Sequence, residues 1–183
     1  AMAYNAVTLG AVDDNGTDDY SDDAYWISGV SASPGSSYNT LGNLAYKPDI
    51  CSYGANISVS SVGTDSGTSF AAPQVAGIVA SLCSLEPELL TLMDLTKAIL
   101  TCSTLKASSY MDFELDCNTT DANYRQIGAG IANANNAMEL LNNGTYVSGH
   151  ISSTENRDAF SIGTLQKGEP VTVSLSFLKR TRF

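Results

Sequence analysis

The order of apolar and polar residues along the chain predicts a protein in which strands alternate with helices. Residues 6–12 form a short apolar run that ends in an Asp-Asp-Asn-Gly turn signal, which is typical of a strand buried in a parallel sheet. Residues 48–51 and 56–60 have the composition of two further short strands. Residues 17–46 are polar and too numerous for a simple connection, so we expect them to form an excursion over the surface.

From Ser69 onward, the apolar residues recur with the period of a helix and small residues fill the positions between them. The apolar residues that recur at helical spacing are Phe70, Ala71, Val75, Ile78, Val79, Leu82 and Cys83. Because this segment is apolar nearly all round, it predicts a helix buried in a crowded α/β core. We expect a second helix over residues 92–102 and a third over residues 133–141, with a polar loop at 103–124 between them.

The pattern changes again after residue 143. Residues 146–151 and 171–177 alternate apolar with polar side chains, and glycine-containing turn signals lie between them, which indicates antiparallel strands. Roughly forty residues are too few for an independent β-sandwich. The pattern therefore divides the chain into an α/β portion at residues 1–143 and the beginning of a C-terminal β-domain at residues 144–183.

Composition narrows the range of partners. The 183 residues carry a formal net charge of −10, so the chain has no basic surface with which to neutralise phosphates, and we expect no nucleic-acid partner. No uninterrupted apolar run approaches the roughly 20 residues that cross a bilayer, so we expect no membrane span. Lys179, Arg180 and Arg182 are too few for a binding stripe and are interpreted as a solvated strand end.

The cysteines and aspartates give no metal-binding pattern. The four cysteines lack metal-ligand spacing, although Cys102 and Cys117 could be bridged across the polar loop, while Cys83 is expected to be a buried free thiol. Six aspartates lie between Asp13 and Asp23, but their spacing does not match a calcium loop. We favour a solvated acidic turn over a calcium site there and expect no cofactor.

The residues with the clearest chemical meaning are 67–77, which read Gly-Thr-Ser-Phe-Ala-Ala-Pro-Gln-Val-Ala-Gly. Gly67 permits a tight turn, and the unpaired N–H groups at the start of the predicted helix favour negative charge beside Ser69. Pro73 is compatible with a first helical turn. This arrangement suits a serine nucleophile with an oxyanion site. On these residues alone, however, a serine that merely caps a helix is the more common case.

The same segment resembles the nucleophile motif of the subtilase family, Gly-Thr-Ser-x-Ala-x-Pro-x-Val-Ala-Gly, at every defining position. Residues 5–13 resemble the family strand that leads to Val-Gly-Ala-Val-Asp. Residues 47–57, which begin Lys-Pro-Asp-Ile, and residues 128–134 resemble two further family segments. Order and spacing agree, so the resemblance extends over residues 4–141.

This resemblance implies the C-terminal half of a subtilisin-like three-layer α/β fold with a parallel sheet, followed by a partial antiparallel β segment. It implies that Ser69 attacks a peptide carbonyl and that the N–H of Ser69, assisted by Thr68, holds the oxyanion. Gly67 and Pro73 support the motif. The implied substrate is an extended peptide or protein, and the implied location is extracellular or at the cell surface.

Several elements of the family's catalytic machinery do not precede Ser69. The family order is Asp, His, Ser, but no histidine precedes Ser69, so neither His-Gly-Thr-His nor an Asp-x-Gly motif followed by it is found, nor the Ser-x-Gly-Asn segment that supplies an oxyanion donor. We therefore expect this chain to be inactive alone and Ser69 to act in a full-length parent. The only histidine, His150, has no motif around it and is interpreted as an ordinary histidine. Ser52-Tyr53-Gly54 also stands where the family usually has Ala-Pro-Gly.

Two alternatives remain open at this point. The chain could be a non-catalytic remnant or a module that binds an extended peptide without cleaving it. It could also self-associate, or pair with a separate chain that bears the Asp and the His, because an α/β core cut in half exposes strand edges and apolar surface.

Overall fold

The fold is that of a computed structural model, which describes residues 6–27, 35–38, 47–61, 63–105, 126–149, 158–161, 163–164, 166–168 and 171–176. Within these ranges the regular elements are β1 (Leu9–Asp13), β2 (Ala24–Tyr25), β3 (Ile50–Tyr53), β4 (Ile57–Val59), β5 (Gly63–Asp65), α1 (Thr68–Leu85), a 3₁₀ helix (Pro87–Leu90), α2 (Met93–Cys102) and α3 (Ala134–Asn143). The α/β class expected from the sequence is confirmed, and so are the existence and order of the three helices.

The central sheet is mixed and has the strand order β2-β1-β3. β1 and β3 are parallel, with Leu9 opposite Ile50 and Val12 opposite Tyr53. The prediction of a buried parallel strand is therefore confirmed for β1. β2 pairs antiparallel with the other edge of β1. Its two residues lie in the polar stretch and give no alternation to detect, which is why the sequence did not predict this strand.

A hairpin of β4 and β5 leads from the sheet to α1. The two strands are antiparallel, with Ile57 opposite Asp65 and Val59 opposite Gly63. β4 confirms the predicted strand at 56–60. β5 was not predicted because its sequence, Gly-Thr-Asp, is polar and its three residues are exposed. The hairpin brings the chain directly to the start of α1.

Apolar side chains pack on both faces of the sheet, as the alternation along a strand requires. Leu9 and Ile50 contribute to a core formed with the three helices, where Val75 and Leu82 of α1 are buried. Val12 and Cys51 point to the opposite face and pack in a second, smaller cluster. Each fully buried Leu, Ile or Val contributes roughly 1.5–3 kcal/mol, so the first cluster holds α1 against β1 and β3.

The helix α1 differs from its prediction. It was expected to be buried all round, but only Ala71, Val75 and Leu82 are buried, while Ala72, Ala76 and other small residues of the opposite face are exposed. The described residues supply packing on one side of the helix only. By length and composition, α1 also meets the criterion for a membrane span, with mean hydropathy 1.4 over its 18 residues. The core helix of a soluble protein meets the same criterion, so this property does not distinguish the two.

The predicted strands at 146–151 and 171–177 are wrong for their described residues, 146–149 and 171–176, which form no regular strand. The Ser174 hydroxyl lies 2.6 Å from the Thr101 hydroxyl of α2, whereas Val173 and Leu175 face solvent. Alternation is present in the sequence, but no neighbouring described strand pairs with these segments. The division at residue 143 stays a prediction.

A buried ion cluster at the amino ends of β1 and β3 joins the sheet to α2. The Asp49 carboxylate accepts hydrogen bonds from the backbone N–H and the hydroxyl of Thr8, at 2.7 and 2.9 Å. It also pairs with Lys47 at 2.6 Å and Lys97 at 2.7 Å. Burial acts to raise the pKa of Asp49, but the bonds from Lys47, Lys97 and Thr8 outweigh it and hold this pKa below its usual value.

We predict that Asp49→Asn lowers the free energy of unfolding by about 3 kcal/mol at pH 7, because it leaves Lys47, whose side chain is 4% exposed, buried without its counter-ion. The stabilisation by Asp49 is present above the carboxyl's unfolded pKa of about 4 and is lost as the pH falls through its lower folded pKa. Urea unfolding at pH 7 and in acid measures this difference. Exposed Glu139→Gln is the control, and an equally small effect of both variants would contradict the prediction.

Candidate active site

Ser69 lies in the first turn of α1, where the chain leaves the β4–β5 hairpin. Gly67 is the N-cap residue, and Thr68 and Ser69 are the first two residues of the helix. The Phe70 N–H donates to the Gly67 carbonyl at 3.0 Å, which closes the turn. The Ser69 side chain is exposed. The structure thus brings Gly67, Thr68 and Ser69 together in one turn that faces solvent.

The interpretation of Ser69 as a helix cap is wrong. The N-cap position belongs to Gly67, and no side chain caps the helix. The Ser69 hydroxyl is therefore not used for capping. The N–H groups of Thr68 and Ser69 have no carbonyl one turn earlier within the helix, so they lie unpaired at the positive end of the helix dipole. Such groups can stabilise an oxyanion that forms beside Ser69.

Pro73 lies deeper in α1 than predicted. The helix begins at Thr68, so Pro73 belongs to the second turn rather than the first, where a missing N–H would have cost nothing. In an α-helix the N–H of residue 73 would bond to the carbonyl of residue 69. Because proline has no N–H, the Ser69 carbonyl lacks its usual partner within the helix.

The turn that carries Ser69 is held against the carboxyl end of β3. The Gly67 N–H donates to the Gly54 carbonyl at 2.6 Å, and the Gly54 N–H donates to the Val12 carbonyl at 3.0 Å. The approach is so close that a Cβ atom on Gly54 would lie 2.7 Å from the Ala11 Cβ atom and 2.8 Å from the Gly67 oxygen. Gly54 was noted in the sequence only as part of a family segment, and the structure shows why it is glycine.

Gln74 is a site residue that the sequence analysis missed. Its side-chain amide donates to the Tyr53 carbonyl at 2.7 Å and to the Phe70 carbonyl at 3.1 Å. Its amide oxygen accepts from the Ser52 hydroxyl at 2.8 Å. The available signal was a single amide side chain in an otherwise apolar helical segment. That signal identifies a polar contact but not its partners.

The acidic segment lies next to this junction. Asp23 is 1% exposed and accepts from the Tyr53 hydroxyl at 2.8 Å. Burial raises the pKa of Asp23, and the nearby Asp22, Asp14 and Asp19 raise it further, while the bond from Tyr53 acts against them. Burial and Asp23 together raise the pKa of Tyr53. This pair fixes the loop before β2 to the end of β3.

Carboxylates of the same segment are used by the loop itself. Asp14 accepts from the Gly16 N–H at 3.0 Å, and Asp19 accepts from the Ser21 N–H at 2.9 Å. Across the part of the chain that the structure describes, no group of three or more His, Cys, Asp or Glu side chains is arranged to hold a metal ion. The loop geometry agrees with an acidic turn that forms hydrogen bonds with its own backbone.

The remaining candidate residues are one histidine and the four cysteines. His150 and Cys117 fall outside the described residues. Cys51, Cys83 and Cys102 are free thiols. Cys51 is buried in the sheet, which raises its pKa to about 12, so it is an inert core residue. Cys83 is free as expected but only half-buried.

Comparison with known proteins identifies the class. The model of the subtilase family matches residues 1–130, and the chain belongs to this family of serine peptidases. Among solved structures, the chain is similar to the CspB protease of Clostridium perfringens, with 27% identity and a TM-score of 0.42. That match covers 64% of this chain and 25% of the protease, so the chain spans about a quarter of its length. A search of curated proteins found no match.

The contact between Gly54 and Gly67 gives a prediction with an internal control. We expect Gly54→Ala to lower the free energy of unfolding by about 2 kcal/mol or more, because its Cβ atom would overlap Ala11 and Gly67. Gly77→Ala lies in the middle of α1, where a Cβ atom meets nothing within 4 Å. It should stabilise this chain by about 0.5–1 kcal/mol through helix propensity. Chemical denaturation measures both, and destabilisation by Gly77→Ala would contradict the exposure of this face.

Proposed function

We propose that this chain is the nucleophile-bearing part of a subtilisin-like serine endopeptidase, that Ser69 hydrolyses peptide bonds in the full-length parent, and that the chain alone is inactive. The observation that carries the proposal is the position of Ser69. The exposed side chain of Ser69 lies in the first turn of α1 and does not cap the helix. A hydrogen bond from Gly67 to Gly54 holds this turn at the end of β3. The subtilase match over residues 1–130 supports the same assignment.

In this mechanism, the Ser69 Oγ atom attacks the carbonyl carbon of an extended peptide. The hydroxyl proton passes to a histidine base that other residues of the parent provide, because a serine hydroxyl is a poor nucleophile without a base. The carbonyl oxygen becomes an oxyanion and accepts hydrogen bonds from the Ser69 N–H, with assistance from Thr68. The intermediate then expels the amine, which takes the proton from the base, and water hydrolyses the acyl group from Ser69.

The finer features of the fold belong to the same proposal. The chain forms the C-terminal half of a three-layer subtilisin-like domain, and the parallel pairing of β1 with β3 supports this. A parallel bridge between Cys51 and Ile131 extends the sheet on the other side of β3. The exposed small-residue face of α1 would be covered by the other half of that domain. The division at residue 143, with residues 144–183 as the beginning of a C-terminal domain, is part of the same proposal.

The proposed substrates and location of the parent are inferred from the family and not from any contact within the chain. The parent would act on extended peptides or proteins outside the cell or at its surface, without a cofactor. Nucleic acid and membrane are not proposed partners. Self-association of the isolated chain through an exposed sheet edge remains part of the proposal, because strand edges that lack a neighbour favour pairing with another copy.

We predict that Ser69→Ala lowers peptide hydrolysis by the full-length parent by at least about 10³-fold, because it removes the exposed hydroxyl that lies beside the free N–H groups at the start of α1. Ser84→Ala, an exposed serine near the end of the same helix, is the control and should keep wild-type kinetics. Steady-state hydrolysis of a fluorogenic peptide measures both variants.

Two results would count against this assignment. Full activity in the Ser69→Ala parent would show that another nucleophile operates. Micromolar binding of an extended peptide by calorimetry, combined with no cleavage by the wild-type parent, would favour the non-catalytic binding module instead.

A further inference from the structure

The side chain of Gln74 joins the second turn of α1 to the last two residues of β3. Both hydrogens of its amide are used, one by the Tyr53 carbonyl and one by the Phe70 carbonyl. Two carbonyl oxygens can only accept, so the NH₂ group must face them and the amide oxygen must face the Ser52 hydroxyl. The three bonds therefore fix the orientation of the amide without ambiguity.

These bonds reach the backbone next to Ser69. The Phe70 carbonyl belongs to the residue that directly follows Ser69, and the Tyr53 carbonyl belongs to the end of the central sheet. A single half-buried side chain thus connects the turn that carries Ser69 to the end of β3. Any shift of that turn away from β3 would break at least one of these bonds.

The same turn is weakened from within the helix by Pro73. Its missing N–H removes the backbone bond to the Ser69 carbonyl. The Gln74 side chain, next in the sequence, adds bonds that hold this turn to β3, although none of them replaces the bond to the Ser69 carbonyl. Ser52 stands where the family usually has alanine, so its hydroxyl is an additional partner at a position where this chain departs from the family pattern.

We propose that Gln74 is a positioning residue for the reaction of Ser69. Its bonds to Phe70, Tyr53 and Ser52 fix the distance and rotation of the turn that carries Ser69 relative to the end of β3. This inference rests on the proposed function of Ser69. Positioning of this kind affects catalysis steeply, since a displacement of about 1 Å can cost about 10²-fold in rate. The bonds of the Gln74 side chain go to Phe70, Tyr53 and Ser52, so its effect on Ser69 is transmitted through these residues.

The first test needs no activity and uses the 183-residue chain. Gln74→Met keeps the length of the side chain but removes all three hydrogen bonds. We expect amide hydrogen exchange at residues 70–75 to become about fivefold faster or more, because the loss of these bonds favours local opening, while exchange at residues 78–83 changes less than about twofold. Ser81→Ala, which removes a hydroxyl bonded to the Gly77 carbonyl on the same helix, should leave residues 70–75 unchanged.

Unchanged exchange at residues 70–75, or an equal acceleration at 70–75 and 78–83, would overturn the inference. If Gln74→Met does not fold, Ser52→Ala removes one hydroxyl only and should accelerate exchange at 70–75 by about threefold. Where Gln74→Met folds, the double variant should show less than the product of the two single effects, because Ser52 and Gln74 share one bond.

The second test measures kinetics of the full-length parent. We expect Gln74→Met to lower kcat about tenfold with KM changed less than twofold, and Ser81→Ala to leave both unchanged. Wild-type kcat in Gln74→Met, together with loss of hydrolysis in Ser69→Ala, would overturn the positioning role alone. Retained hydrolysis in Ser69→Ala would overturn the proposed function instead, so the two failures are distinguishable.

Discussion

The backbone hydrogen bond from the Gly67 N–H to the Gly54 carbonyl is the contact on which the arrangement of this site depends. It joins the loop after β3 to the residue that precedes α1, and it is possible only because Gly54 has no side chain. The start of α1 thereby lies against the carboxyl end of the sheet. The exposed hydroxyl of Ser69 and the free N–H groups of the first turn follow from that placement.

The other end of β3 is fixed by charge rather than by close backbone contact. The Asp49 carboxylate forms ion pairs with Lys47 and Lys97 and accepts hydrogen bonds from the N–H and the hydroxyl of Thr8. The amino ends of β1 and β3 and the helix α2 therefore contact one buried carboxylate. β3 is therefore held at both ends, and α1 packs across its face through Val75 and Leu82. A site that requires accurate placement of one hydroxyl benefits from such a support, because it rests on a strand rather than on a free loop.

Particular residues show what the sequence could predict. The apolar run at 6–12 arises from burial on both faces of the sheet, and the helical spacing after Ser69 arises from packing on one face of a helix, so they identified β1 and α1. β5 was missed because its three residues are polar and exposed. Gln74 was missed because Ser52 and Tyr53 are 22 and 21 residues away and leave no local period. The Asp49 cluster was not predicted for the same reason, since Thr8 lies 41 residues from Asp49 in the sequence.

Other predictions were wrong because the environment of an element, and not its own sequence, decides its burial or its pairing. Nothing in the composition of α1 indicates that one face lies exposed, because an apolar helix has the same sequence whether or not both sides are covered. The position of Pro73 was wrong because helix starts are set by a cap, and a glycine cap at Gly67 leaves no side-chain bond to identify. The alternating residues at 171–176 lack a described partner strand, so alternation alone did not produce a strand there.

The most direct test of the central claim is covalent labelling of the full-length parent and of this chain with a fluorophosphonate, followed by peptide mapping by mass spectrometry. We predict a single adduct on Ser69 in the parent and no adduct in the isolated 183-residue chain, because this chain has no histidine before Ser69 that could act as the base in the family's order. An adduct on another residue of the parent would contradict the assignment of Ser69. Labelling of the isolated chain at Ser69 would contradict its proposed inactivity.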